Sequence, residues 1–184
     1  MISDEAAYRR YLCGEEKAAE LLVEKYGDAL TLYINGYIKD IYEAEDFMIE
    51  AFSQIFATER PVGGEGSFKA YLYKTARNLA LRHRQKRRII FLRMDEMDFE
   101  PQSSALADTE LMRSERDRQL YAALKKLKAE YREALYLVYL EGMSYRDAAA
   151  VMAKSEPQVT NLVYRGKQSL KTILEQEGFI YADE

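Results

Sequence analysis

Tryptophan is absent, cysteine and histidine occur once each, and proline occurs three times in 184 residues. A single cysteine, Cys13, excludes an intramolecular disulfide. Cys13 and His83 together cannot furnish a zinc site built on Cys and His ligands. No apolar run nears the ~18 residues of a membrane span. The opening MISDEAAYRR lacks the hydrophobic core of a signal peptide. The expectation is a cytoplasmic protein with no direct membrane insertion. No glycine-rich phosphate loop and no nucleophile motif stands in the chain. Neither enzymatic activity, a metal nor a cofactor is expected.

Charge is plentiful, and it is segregated. The net charge is −4, yet residues 1–66 carry −8, residues 67–94 carry +9 and residues 95–184 carry −5. The stretch LRHRQKRR, Leu81 to Arg88, sets Arg82, Arg84, Lys86, Arg87 and Arg88 beside His83. A solvated helix face, a membrane-surface patch and a nucleic-acid site are the competing readings. The membrane reading fits least, because the helix carrying this run has a narrow Ala/Thr/Leu face rather than a broad apolar one.

The dominant period is helical. Leu22, Val23, Tyr26, Leu30, Tyr33, Ile34 and Tyr37 form one apolar stripe. Ala44, Phe47, Met48, Ala51, Phe52, Ile55 and Phe56 form a second, with Glu43, Glu45, Asp46 and Glu50 on the opposite side. Phe68, Leu72, Thr75, Ala76, Leu79 and Ala80 form a third, with Ser67 as N-cap. A shorter helix is expected near Ser3–Leu12. Pro61 to Gly66, with three glycines in six residues, reads as a loop. Residues 94–112 bring acids, Pro101 and a Ser pair without a sustained period, and read as a flexible acidic linker. Helical spacing resumes at Leu120, Leu124, Leu127, Tyr131, Leu135, Val138 and Tyr139. The chain is therefore expected to be all-α: two small helical domains, residues 1–93 and 113–184, joined by that linker.

The second domain holds the sharper pattern. Gly142 is placed to end one helix as the residue past its C-cap. Ser144 caps a short helix of about Tyr145 to Ala153, whose Ala148, Ala149 and Ala150 let another helix approach closely. After a tight turn, Ser155 and Gln158 form a capping box, and Pro157 falls in the first turn, where its missing N–H costs little. Val159, Leu162, Val163, Leu170, Ile173 and Leu174 mark the buried side of the last helix. A short helix, a tight turn and a longer helix make a helix-turn-helix pattern. In such motifs the second helix enters the major groove, so Gln158, Thr160, Asn161, Tyr164 and Arg165 would face base edges. Ser155, Lys167 and Gln168 border them. An ordinary helical hairpin with a polar outer face gives the same pattern.

EAEDFMIEAF, Glu43 to Phe52, resembles the signature DAED-L-V-Q-E-x-F of bacterial extracytoplasmic-function (ECF) sigma factors. GSFKAYLYKTARNLALRHRQKRR, Gly66 to Arg88, resembles their S-F-x-x-W-L-Y-R-I-A-R-N segment and its basic extension. LEGMSYRDAAAVMAKSEPQVTNLVYRGKQSLK is similar to their second conserved domain. The three matches fall in order on either side of the linker and cover nearly the whole chain.

The resemblance implies that the first domain, region two, docks on core RNA polymerase and melts the start-proximal promoter element. Region four reads the upstream element as duplex. An anti-sigma factor is an implied partner, and no catalytic residue is implied. The polymerase surface would hold Glu45, Asp46, Ile49 and Glu50. The single-stranded non-template strand would meet Gly64, Ser67, Phe68, Tyr71, Lys74, Arg77, Asn78, Arg84, Lys86, Arg87 and Arg88. Aromatic rings there suit base stacking and cations suit phosphates. Phe68 also fits the core, and Tyr71 a half-buried position.

Tyr71 and Phe56 stand where the family commonly has tryptophan. Thr160, Asn161 and Leu162 replace a stretch that is often Lys-Ser-Arg, which implies weaker phosphate anchoring by region four. Two further functions fit parts of the chain: a stand-alone helix-turn-helix regulator and a helical protein-interaction module. His83 reads as a polar helix residue and Cys13 as a free thiol at a helix end. In the free protein the two domains are expected to pack together and mask both DNA surfaces. Asp95, Glu96, Asp98 and Glu100 are expected to screen the basic run.

Overall fold

The computed structural model describes residues 2–58, 67–90 and 115–178, except the side chains of 88–90, 115–118 and 121. The Pro61–Gly66 loop, the acidic linker with Asp95 to Glu100, and hence the domain boundaries lie outside the described residues. All regular elements among those described are helical, and none is long and apolar enough to cross a membrane.

Each helix in the first half starts where a side chain satisfies its open N–H groups, α2 excepted. Helix α1 (Asp4–Leu12) begins at Ser3, whose Oγ accepts from the Ala6 N–H at 3.2 Å. It ends at the exposed Cys13. Helix α2 (Glu16–Ile38) stops at Lys39, which turns left-handed at φ 65°. Asp40 then caps α3 (Ile41–Thr58), its Oδ1 accepting from the N–H groups of Tyr42 at 3.0 Å and Glu43 at 3.2 Å. Helix α4 (Phe68–Ile90) starts with Ser67 Oγ accepting from the Ala70 N–H at 3.1 Å. The three expected stripes converge: Leu22, Leu30 and Ile34 pack with Ala51, Ile55, Leu72 and Ala76 in one buried cluster. Val23 alone of the first stripe stands at the surface.

The second half holds α5 (Glu115–Lys126), α6 (Ala129–Leu135), α7 (Tyr145–Met152) and α8 (Glu156–Gln176). Helix α6 runs into a π turn, Tyr136–Leu140. Its wider hydrogen bonding, Glu141 N–H to Tyr136 C=O at 3.0 Å, inserts a residue and rotates the side chains beyond it. Tyr139, expected on the apolar stripe, is consequently exposed, as is Leu140. Gly142 reverses the chain at φ 62°. Ser144 caps α7, Ala153 closes it in the left-handed region, and both halves of the Ser155/Gln158 capping box form.

The two halves do not stand apart. Helix α7 lies against α4 as well as α8, and Ala148 and Ala149 are buried. The short alanine side chains bring the axes close. Residues from both halves belong to one continuous apolar cluster.

Gly166 marks a second close approach, between α8 and α6. A Cβ there would meet Leu135 Cδ1 and Tyr131 Cβ at 3.2 Å. Gly166→Leu is expected to destabilise the chain by about 1–3 kcal/mol through overpacking. Thermal unfolding checks this, and an unchanged midpoint would contradict the packing described.

Candidate nucleic-acid interface

Helix α4 presents two working faces. On the outer one, Lys74 and Asn78 are exposed while Ser67 and Tyr71 are half-buried; in the basic run further along the helix, Lys86 and Arg87 are exposed and Arg84 is half-buried. Gly64 and the side chain of Arg88 lie outside the described residues. Phe68 requires a correction. Its ring is 0% exposed and packs 5.1 Å from Tyr8 and 6.3 Å from Tyr26. It anchors α4 in the core and offers no face to a base. The first turn of an amphipathic helix often supplies such an anchor, and the apolar spacing puts Phe68 on the core stripe.

The inner face carries Lys69, Tyr73 and Arg77, four residues apart and therefore aligned. All three meet carboxylates from the second half. Arg77 Nε donates to Glu133 Oε1 at 2.7 Å, and Nη2 to Oε2 at 3.4 Å. Tyr33 donates to the same Oε1 at 2.9 Å, and Tyr37 donates to it as well. Glu133 is only 3% exposed. Eight residues on, Glu141 receives the Tyr73 hydroxyl at 2.7 Å and lies 3.0 Å from Lys69 Nζ. Lys69 also donates to the Glu141 carbonyl at 2.5 Å. Burial, followed by the adjacent glutamates, pushes the phenols of Tyr33, Tyr37 and Tyr73 well above their ordinary range. They act as donors.

Sequence reasoning assigned Arg77 to DNA and Tyr33 and Tyr37 to an apolar stripe, and gave no role to Glu133 or Glu141 or to the two tyrosine hydroxyls. Two signals were available. Glu133 sits in an otherwise apolar run, EALYLVYL. The stripe of α2 uses tyrosines whose hydroxyls need partners once buried.

At the far end of α4, Glu43 faces the basic run instead of joining the acidic surface expected for it. Its Oε2 lies 3.3 Å from Arg87 Nη1 and 3.5 Å from His83 Nε2. The position follows from helix geometry: Glu43 is one turn before Phe47, whose ring meets His83 edge-on at 5.0 Å. His83 is thus a half-buried helix residue. Glu45, Asp46, Ile49 and Glu50 do share a surface of α3, with Ile49 58% and Tyr42 78% exposed.

On α8, Ser155, Gln158, Thr160, Asn161, Tyr164, Arg165, Lys167 and Gln168 are all exposed. Several are already engaged. Gln158 Oε1 accepts from the Ser155 N–H at 2.8 Å. Thr160 Oγ1 donates to the Glu156 carbonyl at 3.0 Å. Lys167 Nζ sits 4.5 Å from the centre of the Tyr139 ring. Asn161, Tyr164 and Arg165 are therefore the side chains best placed to reach a groove. Of the α4 residues expected to face DNA, Arg77 is covered by the second half, while Lys74, Asn78, Lys86 and Arg87 stay exposed, as do the residues named on α8.

Comparison with known proteins matches both halves of the chain. Sigma-70 region 2 matches residues 22–89, and Sigma-70, region 4 matches residues 117–170. The RNA polymerase sigma-H factor of Pseudomonas aeruginosa is 27% identical over 181 residues, covering 94% of each chain. The ECF RNA polymerase sigma factor SigX of Bacillus subtilis is 26% identical over 166 residues, covering 87% of this chain and 85% of its own. In fold, the chain is similar to the sigma factor RpoE of Bartonella quintana, solved with the anti-sigma factor NepR. The TM-score is 0.61 at 21% identity, over 85% of this chain and 96% of that one.

The raised phenols set a pH limit on the fold. The ordinary value of a tyrosine phenol is 10.0, and Tyr33, Tyr37 and Tyr73 hold their protons above it. Above that pH the folded chain binds more protons than the unfolded one. Stability from these groups is fully present below 10.0 and falls as pH rises beyond it, by up to about 1.4 kcal/mol per pH unit per phenol. Tyrosinate absorbance followed alongside helical circular dichroism should show late, cooperative ionisation of this group. Ionisation of every tyrosine near 10.0 with helices intact would refute it.

Proposed function

The chain belongs to the sigma-70 family, in its extracytoplasmic-function (ECF) group of RNA polymerase sigma factors, and from that membership we propose how its residues divide the work. The factor binds core RNA polymerase and promoter DNA and directs initiation. Bond-making chemistry belongs to the polymerase. Residues 1–93 act as region two and residues 113–184 as region four, joined by the linker 94–112.

The α3 surface of Glu45, Asp46, Ile49 and Glu50 docks on polymerase. Acids there meet basic groups, and Ile49 supplies apolar area at their centre. Helix α4 handles the melted non-template strand. Tyr71 offers a ring for stacking, Asn78 a donor and acceptor for a base edge, and Lys74, Arg77, Arg84, Lys86, Arg87 and Arg88 cations for phosphates. Gly64 and Ser67 flank the strand as it enters. Helix α8 reads the upstream duplex through Asn161, Tyr164 and Arg165, while Ser155, Gln158, Thr160, Lys167 and Gln168 set its register. An anti-sigma factor is the expected regulator, as the Bartonella quintana protein was solved with one.

The observation that carries this reading is the separation of surfaces. One chain holds an acidic, Ile-centred face on α3, a basic run on α4 and an open polar face on α8. A regulator acting on duplex DNA alone leaves the first two without a role. Transcription by core polymerase on a genomic fragment library, with and without the protein, tests it directly. New start sites are expected; none, together with no core binding, would refute it.

A second outcome separates the surfaces. R84E/K86E/R87E/R88E should weaken open-complex formation at least about tenfold while leaving core binding within about twofold. It should also flatten the salt dependence of single-strand binding by about 0.7 per lost phosphate contact. Permanganate footprinting and a core-binding titration provide the two readouts. Equal loss in both, with the fold intact, would mean the basic run serves polymerase.

A further inference from the structure

The π turn that ends α6 rotates Tyr139 out of the core and leaves it 53% exposed. Its ring is nevertheless held. Lys167 Nζ, on α8, lies 4.5 Å from the ring centre. The Lys167 ammonium and the hydroxyl of Tyr145, the first residue of α7, both donate to the Tyr139 hydroxyl oxygen. Three elements separate in sequence thus bring two phenols and an ammonium to one point at the surface. The bond from Lys167, above all, holds the Tyr139 phenol below its ordinary range. Both bonds are accepted by the Tyr139 oxygen, which leaves its proton for an outside acceptor. A hydroxyl that already accepts is the stronger donor for it.

The cluster adjoins the reading face. Lys167 follows Tyr164 by three residues and so lies beside it on α8, where both are exposed. Tyr145 opens the first helix of the helix-turn-helix, the helix that crosses the duplex backbone when its partner enters the groove. Ammonium and hydroxyl groups are the donors that phosphate oxygens take. Thr160, Asn161 and Leu162 put no cation on their stretch of α8, so anchoring to the backbone has to come from neighbouring groups.

We propose that Tyr139 and Lys167 form a phosphate-binding site that anchors the duplex backbone beside the groove read by α8, with Tyr145 orienting Tyr139. The proposal rests on the reading of α8 as the duplex-reading helix and adds residues from outside it. The phosphate accepts from the Tyr139 hydroxyl, and Lys167 supplies the charge. The inserted residue of the π turn makes the site, because without it Tyr139 falls on the apolar stripe. A protein is the competing occupant, since Leu140 next to Tyr139 is also exposed. Two polar phenols and an ammonium favour the phosphate.

The test uses full-length protein and a fluorescein-labelled duplex of mixed sequence, followed by anisotropy across a salt series. Phosphate contacts are independent of sequence, so no promoter is required. K167Q is expected to weaken binding at least about fivefold and to lower the salt slope by about 0.9, the share of one phosphate. Y139F removes a neutral donor and should weaken binding at least about threefold with the slope unchanged. Y139F/K167Q should lose less than the product of the two single losses, because both groups hold one phosphate. Y145F should weaken binding in the wild-type chain and add nothing to Y139F, which a merely structural role would not produce. K17Q, at an exposed lysine of α2, controls for net charge and should stay within about twofold. R165A reports on the reading of α8 itself and should weaken binding. Circular dichroism checks that helical content is unchanged throughout.

Y139F and K167Q both within about twofold of wild type, beside a weakened R165A, would overturn the proposal and leave the reading of α8 standing. If R165A also binds as the wild type does, the reading of α8 fails together with the site. Losses that simply multiply in Y139F/K167Q would mean two independent contacts and would overturn the shared site. Unchanged duplex binding with weaker binding to core polymerase would assign the patch to a protein partner and equally overturn it.

Discussion

The Glu133 carboxylate is buried, and the donors that meet it from α2 and α4 come from the other half of the chain. Tyr33 and Tyr37, one turn apart on α2, and Arg77 on α4 converge on it. A buried carboxylate is tolerable only when such donors are in place, and removing one partner of a buried ion pair costs about 3–5 kcal/mol. Arg77 Nε also reaches the Tyr37 hydroxyl at 3.2 Å, so the three donors fix one another. This requirement orients the halves. Helix α6 has to approach α2 and α4 closely enough to hand Glu133 to them, and the alanines of α7 then fit the space left beside α4.

The aromatic composition follows from the same constraint. Tyr8, Tyr26, Tyr33 and Tyr73 do what phenylalanine does in a core: they make ring contacts with one another and with Phe68, Tyr37 and Tyr136 at separations of 5.1 to 6.3 Å. Their hydroxyls add tethers between elements far apart in sequence. Tyr8 donates to the Ile55 carbonyl and Tyr26 to Asp4, tying α1 to α3 and α2. Tyr33, Tyr37 and Tyr73 cross to the second half. A core built on tyrosine therefore specifies its partners by hydrogen bonding as well as by volume, and no tryptophan is needed to fill it.

Local features were legible in the sequence because local physics sets them. Ser67, Ser144 and Ser155 cap the helices expected of them, and Gly142 and Ala153 turn where the patterns end. The three apolar stripes mark the core with few exceptions. The features that escaped reading depend on long-range contact or on a register change. The π turn moves Tyr139 to the surface, and no period in the sequence signals the inserted residue. Glu43 faces the basic run because α3 lies against α4, which spacing along α3 alone cannot disclose. Phe68 carries two compatible signals, core and stacking, and burial decides between them. The contact of Glu133 with Arg77 spans 56 residues, beyond the reach of any motif.

The segregated charge of the chain acquires a mechanical meaning from this geometry. A basic segment of +9 invites indiscriminate binding to polyanions, because counterion release rewards every phosphate contact regardless of sequence. Its charge is apportioned by position. Arg77 and Lys69 on the inner face are taken up by carboxylates of the second half, and Arg87 lies against Glu43. Lys74 and Lys86 stay exposed. The acids that balance the basic segment are thus divided between two tasks. Some occupy cations inside the molecule, and others, Glu45, Asp46 and Glu50, stand on a separate surface where they repel nucleic acid and suit a basic protein partner. An acidic chain with one basic helix in this way pairs its inner cations within the molecule while the acids of α3 and the polar side chains of α8 stay exposed.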